Sequence, residues 1–125
     1  MTIASRVLLV EDDRFLRRAC EASLKQKGLD VTTAVDGEQG LERARAERFD
    51  LILLDMLMPK LSGLDVLRAL KADPTTRDIP VLVLSNSSRE QDVREVEALG
   101  VVGYIVKSNM SLKELGERID RVLTG

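Results

Sequence analysis

The groups in this chain best placed to do chemistry are carboxylates. Glu11, Asp12 and Asp13 stand in a row directly after the apolar run Arg6–Val10. Asp55 closes a second apolar run, residues 51–54, within the stretch DLILLDMLMP. A run at 80–84 leads into Ser85, and another at 101–106 ends on Lys107. Histidine is absent and Cys20 is the sole cysteine. That excludes Ser-His and Cys-His nucleophile pairs, imidazole bases, His-ligated zinc, thiolate clusters and an internal disulfide. Carboxylates, Lys107, hydroxyls and a bound cation remain. A carboxylate can act as a nucleophile and form an aspartyl phosphate. Oxygen donors without imidazole or thiolate suit Mg²⁺, and Mn²⁺ could substitute.

These groups are useful only if the fold brings them together. The chain has 125 residues, the size of one domain, and is read as a single domain over 1–125. A hydrophobic content of 44% with 32% charged residues suits a globular protein rather than a disordered one. The net charge of −2 and the 2% aromatic content argue against direct nucleic acid binding, because neither a phosphate-binding surface nor a base-stacking platform is encoded. No apolar run approaches a membrane span and no signal peptide is visible, so the expectation is a cytoplasmic protein without membrane contact.

Five apolar stretches read as strands: 6–10, 30–34, 51–55, 80–84 and 101–106. The four-residue run at 51–54 suits a strand covered on both faces, and Pro59 prevents its continuation. The polar, β-branched DVTTA at 30–34 reads as an edge strand. Between the strands lie helical patterns. Helix 1 runs from about 14 to 27, with Leu16, Cys20 and Leu24 inward, Phe15 and Ala19 beside them, Arg17 and Arg18 outward, and Gly28 as its stop. Asp36-Gly-Glu-Gln39 opens helix 2, which ends near Arg48. Ser62 opens helix 3, with Leu64, Leu67 and Leu70 inward. Ser87-Ser-Arg-Glu90 reads as a capping box for helix 4. Ser111 caps helix 5, whose inner stripe is Leu112, Leu115, Ile119 and Val122. Asp13 is read as a helix cap rather than a ligand. Strict alternation with short loops implies βαβ units and one parallel sheet.

In such a sheet the ends at Glu11-Asp12, Asp55, Ser85 and Lys107 share one edge. If strands 1, 3 and 4 are neighbours, the three carboxylates crowd and repel. A divalent cation relieves that repulsion, Lys107 adds a second positive charge, and Ser85 offers a hydroxyl to a phosphoryl oxygen. The constellation is a phosphoryl site.

Four motifs resemble the receiver domains of bacterial two-component response regulators: Leu9-Val-Glu-Asp-Asp13, Asp55-Met-Leu-Met-Pro59 with Gly63, Leu84-Ser85, and Gly103-Tyr-Ile-Val-Lys107. The resemblance spans essentially the whole chain. It implies an α/β, flavodoxin-like doubly wound (βα)5 fold with a parallel five-stranded sheet of order 2-1-3-4-5. It implies that Asp55 accepts a phosphoryl group from a phosphohistidine on a sensor histidine kinase or histidine phosphotransfer protein. Asp12, Asp55 and the Leu57 backbone carbonyl would ligate Mg²⁺, with Glu11 acting through water. Ser85 would be the switch hydroxyl and Tyr104 the aromatic switch residue. Leu57, Asn86 and Ser87 would tune access and dephosphorylation, apolar Leu57 by hindering the attacking water. Output would pass through the helix 4, strand 5 and helix 5 face to a downstream protein or a second copy. The chain departs from the family pattern at Ser108, where proline usually follows the site lysine, and at Asn86, where a small residue is usual. Two other classes fit the residues less well. A pseudo-receiver, a protein-interaction module independent of phosphorylation, would be expected to have lost its acids or its lysine. A haloacid-dehalogenase-like phosphohydrolase would carry Asp, not Leu57, two residues after the nucleophile.

Overall fold

A computed structural model describes residues 4–58 and 61–124, so the expected role of Pro59 lies outside the described residues. Five strands alternate with five helices: β1 (Arg6–Val10), α1 (Arg14–Gln26), β2 (Asp30–Ala34), α2 (Gly37–Ala46), β3 (Leu51–Asp55), α3 (Gly63–Ala72), β4 (Val81–Ser85), α4 (Glu90–Glu97), β5 (Gly103–Val106) and α5 (Leu112–Thr124). All neighbouring strands are parallel and the order is β2-β1-β3-β4-β5. The winding direction reverses between β1 and β3. In open sheets of this kind, the crevice outside the carboxyl ends of the strands at that reversal is the binding site.

The two-residue period of the strands builds two cores. Leu8, Val10, Ile52, Leu54, Val81 and Val83 face one side, packed with Ala44 of α2, Val66, Leu67 and Leu70 of α3, and Val96 of α4. Val7, Leu9, Leu51, Leu53, Leu82 and Leu84 face the other, packed with Cys20 and Leu24 of α1 and Leu115 and Ile119 of α5. β3 and β4 are buried along their whole length. Each Leu withdrawn from water in this way contributes about 2 kcal/mol.

Local signals set most of the boundaries. Asp13 caps α1 by accepting from Phe15 N (2.9 Å) and Leu16 N (3.1 Å). Gly28 follows with φ +86°, a left-handed conformation open to glycine. Asp36 caps α2 through Gln39 N (2.8 Å), while the Gln39 side chain accepts from Val35 N (2.8 Å). Ser62 and Ser111 cap α3 and α5.

Several expectations are corrected. Helix 2 ends at Ala46, before Arg48, and β5 begins at Gly103, not at 101. Phe15 is 86% exposed and Leu112 is exposed, because both lie at helix starts beyond the reach of the sheet. The Ser87–Glu90 capping box does not form: α4 starts after Arg89 with no side-chain cap. Ser87 Oγ instead donates to Asp92 Oδ2 (2.6 Å) and accepts from Arg89 N (3.2 Å). Arg17, expected to face solvent, folds back on the loop before its helix.

Candidate functional site

Asp55 is the last residue of β3 and is 1% exposed. Its Oδ1 accepts from Lys107 Nζ (2.9 Å) and Leu57 N (3.2 Å). Its Oδ2 is buried and has no hydrogen-bond partner among the described residues. Such an orphaned buried oxygen is unfavourable by itself and marks a place for a ligand. α3 fixes the backbone here. Gly63 N donates to Met56 O (3.1 Å), and a Cβ on Gly63 would stand 2.3 Å from Asp55 O. Only glycine allows that approach.

Glu11 follows β1 and is fully buried. Its Oε1 accepts from Lys107 Nζ (2.8 Å) and its Oε2 from Asp13 N (3.2 Å). Asp12, beside it, is exposed. Glu11, Asp12 and Asp55 can each place a carboxylate oxygen within 4.8 Å of the others. Burial and then the adjacent Asp55 carboxylate push Glu11 up to about 7, against the pull of Lys107. Burial works to lower the Lys107 pKa, but hydrogen bonds to Glu11 and Asp55 outweigh it and hold the ammonium above its ordinary value.

Among the described residues, one lysine thus faces three acids. The donor set is all oxygen, one of its oxygens is orphaned, and the charge is undercompensated. A hard divalent cation fits these residues.

Asp12, Asp13, Asp55, Leu57, Met58, Asn86 and Lys107 line an open depression of about 490 Å³. Leu57 stands 72% exposed at its rim. Leu57 and Asn86 both border the depression that opens onto Asp55. Lys107 opens a short 3-10 turn, Lys107–Asn109, and the described residues contain no cis peptide bond, so the Lys107-Ser108 bond is trans.

Ser85, Ser87 and Tyr104 form a separate cluster. Ser85 ends β4, and its Oγ accepts from Ser87 N (3.1 Å). Tyr104 OH donates to Ser87 O (2.8 Å). Together with Met56, Leu64, Asp92, Glu95 and Val96 they line a second cavity of about 170 Å³. Ser87, expected to tune access, does not line the depression around Asp55; it ties Tyr104 to α4. The sequence pattern does not mark Arg17 or Asp92 as neighbours of these clusters. Charged residues in the first turns of a helix usually read as solvated, and only the loop conformation shows what they hold.

A family model describing the response regulator receiver domain matches residues 7–120. Transcriptional activator protein PfeR of Pseudomonas aeruginosa is 42% identical over 118 residues, 94% of this chain and 37% of that protein. The chain spans 15% to 52% of the length of the curated relatives it matches. Among solved structures, chemotaxis protein CheY4 of Vibrio cholerae superposes with a TM-score of 0.89 at 30% identity, covering 97% of this chain and 100% of that one. The receiver domain of sensor histidine kinase PA1611 of Pseudomonas aeruginosa, solved with magnesium in its active site cleft, gives 0.88 at 28% identity and covers 98% and 100%. No described helix is long and apolar enough to cross a membrane. With its sheet order, acidic edge and matched length taken together, the chain belongs to the receiver domains of response regulators, the signalling domains that work with histidine kinases in two-component systems.

Proposed function

We propose that this chain is a phosphoacceptor switch in which Asp55 takes a phosphoryl group from a phosphohistidine on a sensor histidine kinase or histidine phosphotransfer protein. The observation that carries the reading is Asp55 itself. One carboxylate oxygen is held by Lys107 and the Leu57 N–H, and the other is buried without a partner. One carboxylate oxygen of Asp55 is the attacking atom. Its lone pair forms the new O–P bond as the N–P bond of the donor breaks, and the imidazole nitrogen leaves with that electron pair. Lys107, fixed between Glu11 and Asp55, meets charge developing on the phosphoryl oxygens.

Asp12, Asp55 and the Leu57 carbonyl would hold Mg²⁺, with Glu11 through water, and Mn²⁺ could take its place. When bound, the ion neutralises charge on the acids and on the incoming phosphoryl group. Ser85 is the switch hydroxyl: turning from Ser87 N toward the phosphoryl group, it would release the loop that Tyr104 holds. The expected consequence is a changed α4, β5 and α5 face for a downstream protein or a second copy. Slow autodephosphorylation would reset the switch, with Leu57 and Asn86 limiting the approach of water.

Intact mass after incubation with a small-molecule phosphodonor tests the reading. The expected result is one added phosphoryl group that requires Mg²⁺ and disappears in Asp55→Asn. No addition to the folded, Mg²⁺-loaded protein would sink the reading and leave the phosphorylation-independent interaction module.

A further inference from the structure

The depression contains one acid that none of the described residues holds directly. Lys107 engages Glu11 and Asp55, and Asp13 is committed to the α1 cap. Among the described residues, no hydrogen bond or ion pair fixes the Asp12 carboxylate. Its direction is set only by the backbone on which it stands, a loop of three consecutive acids that repel one another.

The N–H groups of Glu11 and Asp13 in that backbone are held by Ala34 O (3.1 Å) and Glu11 Oε2 (3.2 Å), and its carbonyls are gripped from one place. Arg17 Nη1 donates to Glu11 O (2.9 Å) and to Asp12 O (3.2 Å), and the Arg17 backbone N donates to Asp13 O (2.9 Å). A single residue therefore binds three successive carbonyls. Arg17 is half-buried, whereas its neighbour Arg18 is exposed. The planar guanidinium is suited to this: it carries several donors in a fixed fork, and less conformational freedom is lost per hydrogen bond made. With the Glu11 and Asp12 carbonyls turned to Arg17, the cation is left with the carboxylates of this loop as its donors.

We infer that Arg17 is a positioning residue for the cation site, holding the carbonyls of the acidic loop so that Asp12 is aimed before the ion arrives. The inference rests on the cation-binding reading above and adds to it a residue that does not itself touch the ion. Outer residues of this kind tune a metal site by orienting its ligands.

The sign of the effect separates positioning from charge. Arg17 carries a positive charge near a site for a dication, so deleting that charge alone would tighten binding. Loss of positioning loosens it, because the ion must then order the Asp12 loop itself. Isothermal titration with MgCl2 on the full chain reads the difference, with far-UV circular dichroism confirming folding. For Arg17→Met we expect the Mg²⁺ dissociation constant to rise about tenfold. Arg18→Met, which removes the same charge one residue away, should leave it unchanged or lower. Arg17→Lys, which keeps the charge and gives up the fork, should fall between wild type and Arg17→Met.

A folded Arg17→Met that binds Mg²⁺ as tightly as wild type, or more tightly, overturns the inference while leaving the cation site intact. Wild type that takes up no Mg²⁺ removes the cation site and the inference together. Should Arg17→Met not fold, Arg17→Lys decides: a severalfold loss supports positioning, and an unchanged constant overturns it.

Discussion

At the scale of single residues, the site is a balance of three acids against one ammonium. Glu11 is the most strained member. It is fully buried, and burial together with Asp55 pushes it up to about 7. A carboxyl group with a raised folded pKa holds its proton better folded than unfolded. Its stabilising contribution is therefore complete below about pH 4.5 and is lost as the pH rises through about 7. Glu11→Gln cannot titrate. In Mg²⁺-free buffer, the stability of wild type relative to Glu11→Gln should fall by on the order of 3 kcal/mol between pH 4.5 and 7.5. Urea unfolding at each pH measures it, and a flat difference would mean that Lys107 keeps Glu11 ionised throughout. Leu57 raises a separate question, since it lies at the rim with no polar group to offer water. Leu57→Asn supplies an amide there, and the half-life of the phosphorylated mass should shorten severalfold. An unchanged half-life would remove Leu57 from the control of access. The identities of Asp55, Asp12, Glu11 and Lys107 as site candidates were legible because each sits at the end of an apolar run, where a charged residue is conspicuous. Arg17 was not. An arginine in a helical pattern is usually solvated, and its reach to Glu11 and Asp12 depends on a loop conformation that no periodicity encodes.

At the scale of elements, the position of Asp55 depends on how closely α3 approaches the end of β3. A Cβ on Gly63 would lie 2.3 Å from Asp55 O and 2.5 Å from Met56 Cα, both backbone atoms with little room to move. Gly63→Ala should therefore destabilise the protein by about 1–3 kcal/mol and displace the loop that carries Leu57. Chemical denaturation reads the first effect and Mg²⁺ titration the second. Full stability would show that the loop yields at no cost. The elements themselves were legible where two signals agreed. β1 and β2 match their expected bounds because apolar or β-branched runs are bracketed by turn and cap residues. α1 was legible through Asp13 and Gly28. The errors fall where one signal stood alone. Ser87 and Glu90 have capping-box spacing, but Ser87 is drawn to Asp92, and α4 starts two residues later without a cap. Residues 101 and 102 are apolar, yet the register with β4 begins at Gly103, after a single bond from Val102 N to Val81 O (2.9 Å). Val102 is 48% exposed, so its apolar character reports neither burial nor a place in the register.

At the scale of the whole molecule, the sheet order puts chemistry at one edge and leaves a distant face free to respond. β1 and β3 carry the acids. β4 and β5 carry Ser85 and Tyr104, and their loops lead to α4 and α5. The shared edge was legible in the alternation of elements, since parallel strands place their carboxyl ends together, whereas the strand order and the pairing of Ser85 with Tyr104 followed only from the family resemblance. What the alternation does not specify is the state of the switch. In the observed arrangement Ser87 makes three bonds: its N–H goes to Ser85, its carbonyl accepts from Tyr104 and its hydroxyl donates to Asp92. Three elements, β4, β5 and α4, are joined through one residue, so the observed arrangement, the resting one on the reading proposed above, is held by identifiable bonds. A phosphoryl group shifts the population only by binding the other arrangement better. Weakening the resting bonds should move the same equilibrium without phosphorylation. Tyr104→Phe removes one of them, worth about 1 kcal/mol, or roughly fivefold in an opening equilibrium. Amide hydrogen exchange at Ser87 and Arg89 should then accelerate about fivefold in the unphosphorylated variant, while the buried amides of β1 and β3 stay unchanged. Asp92→Ala should act in the same direction, since it frees the Ser87 hydroxyl from α4. Were both variants to exchange like wild type, Ser87 would be a passive turn, and the signal from Asp55 would have to reach the α4 and β5 face by another route.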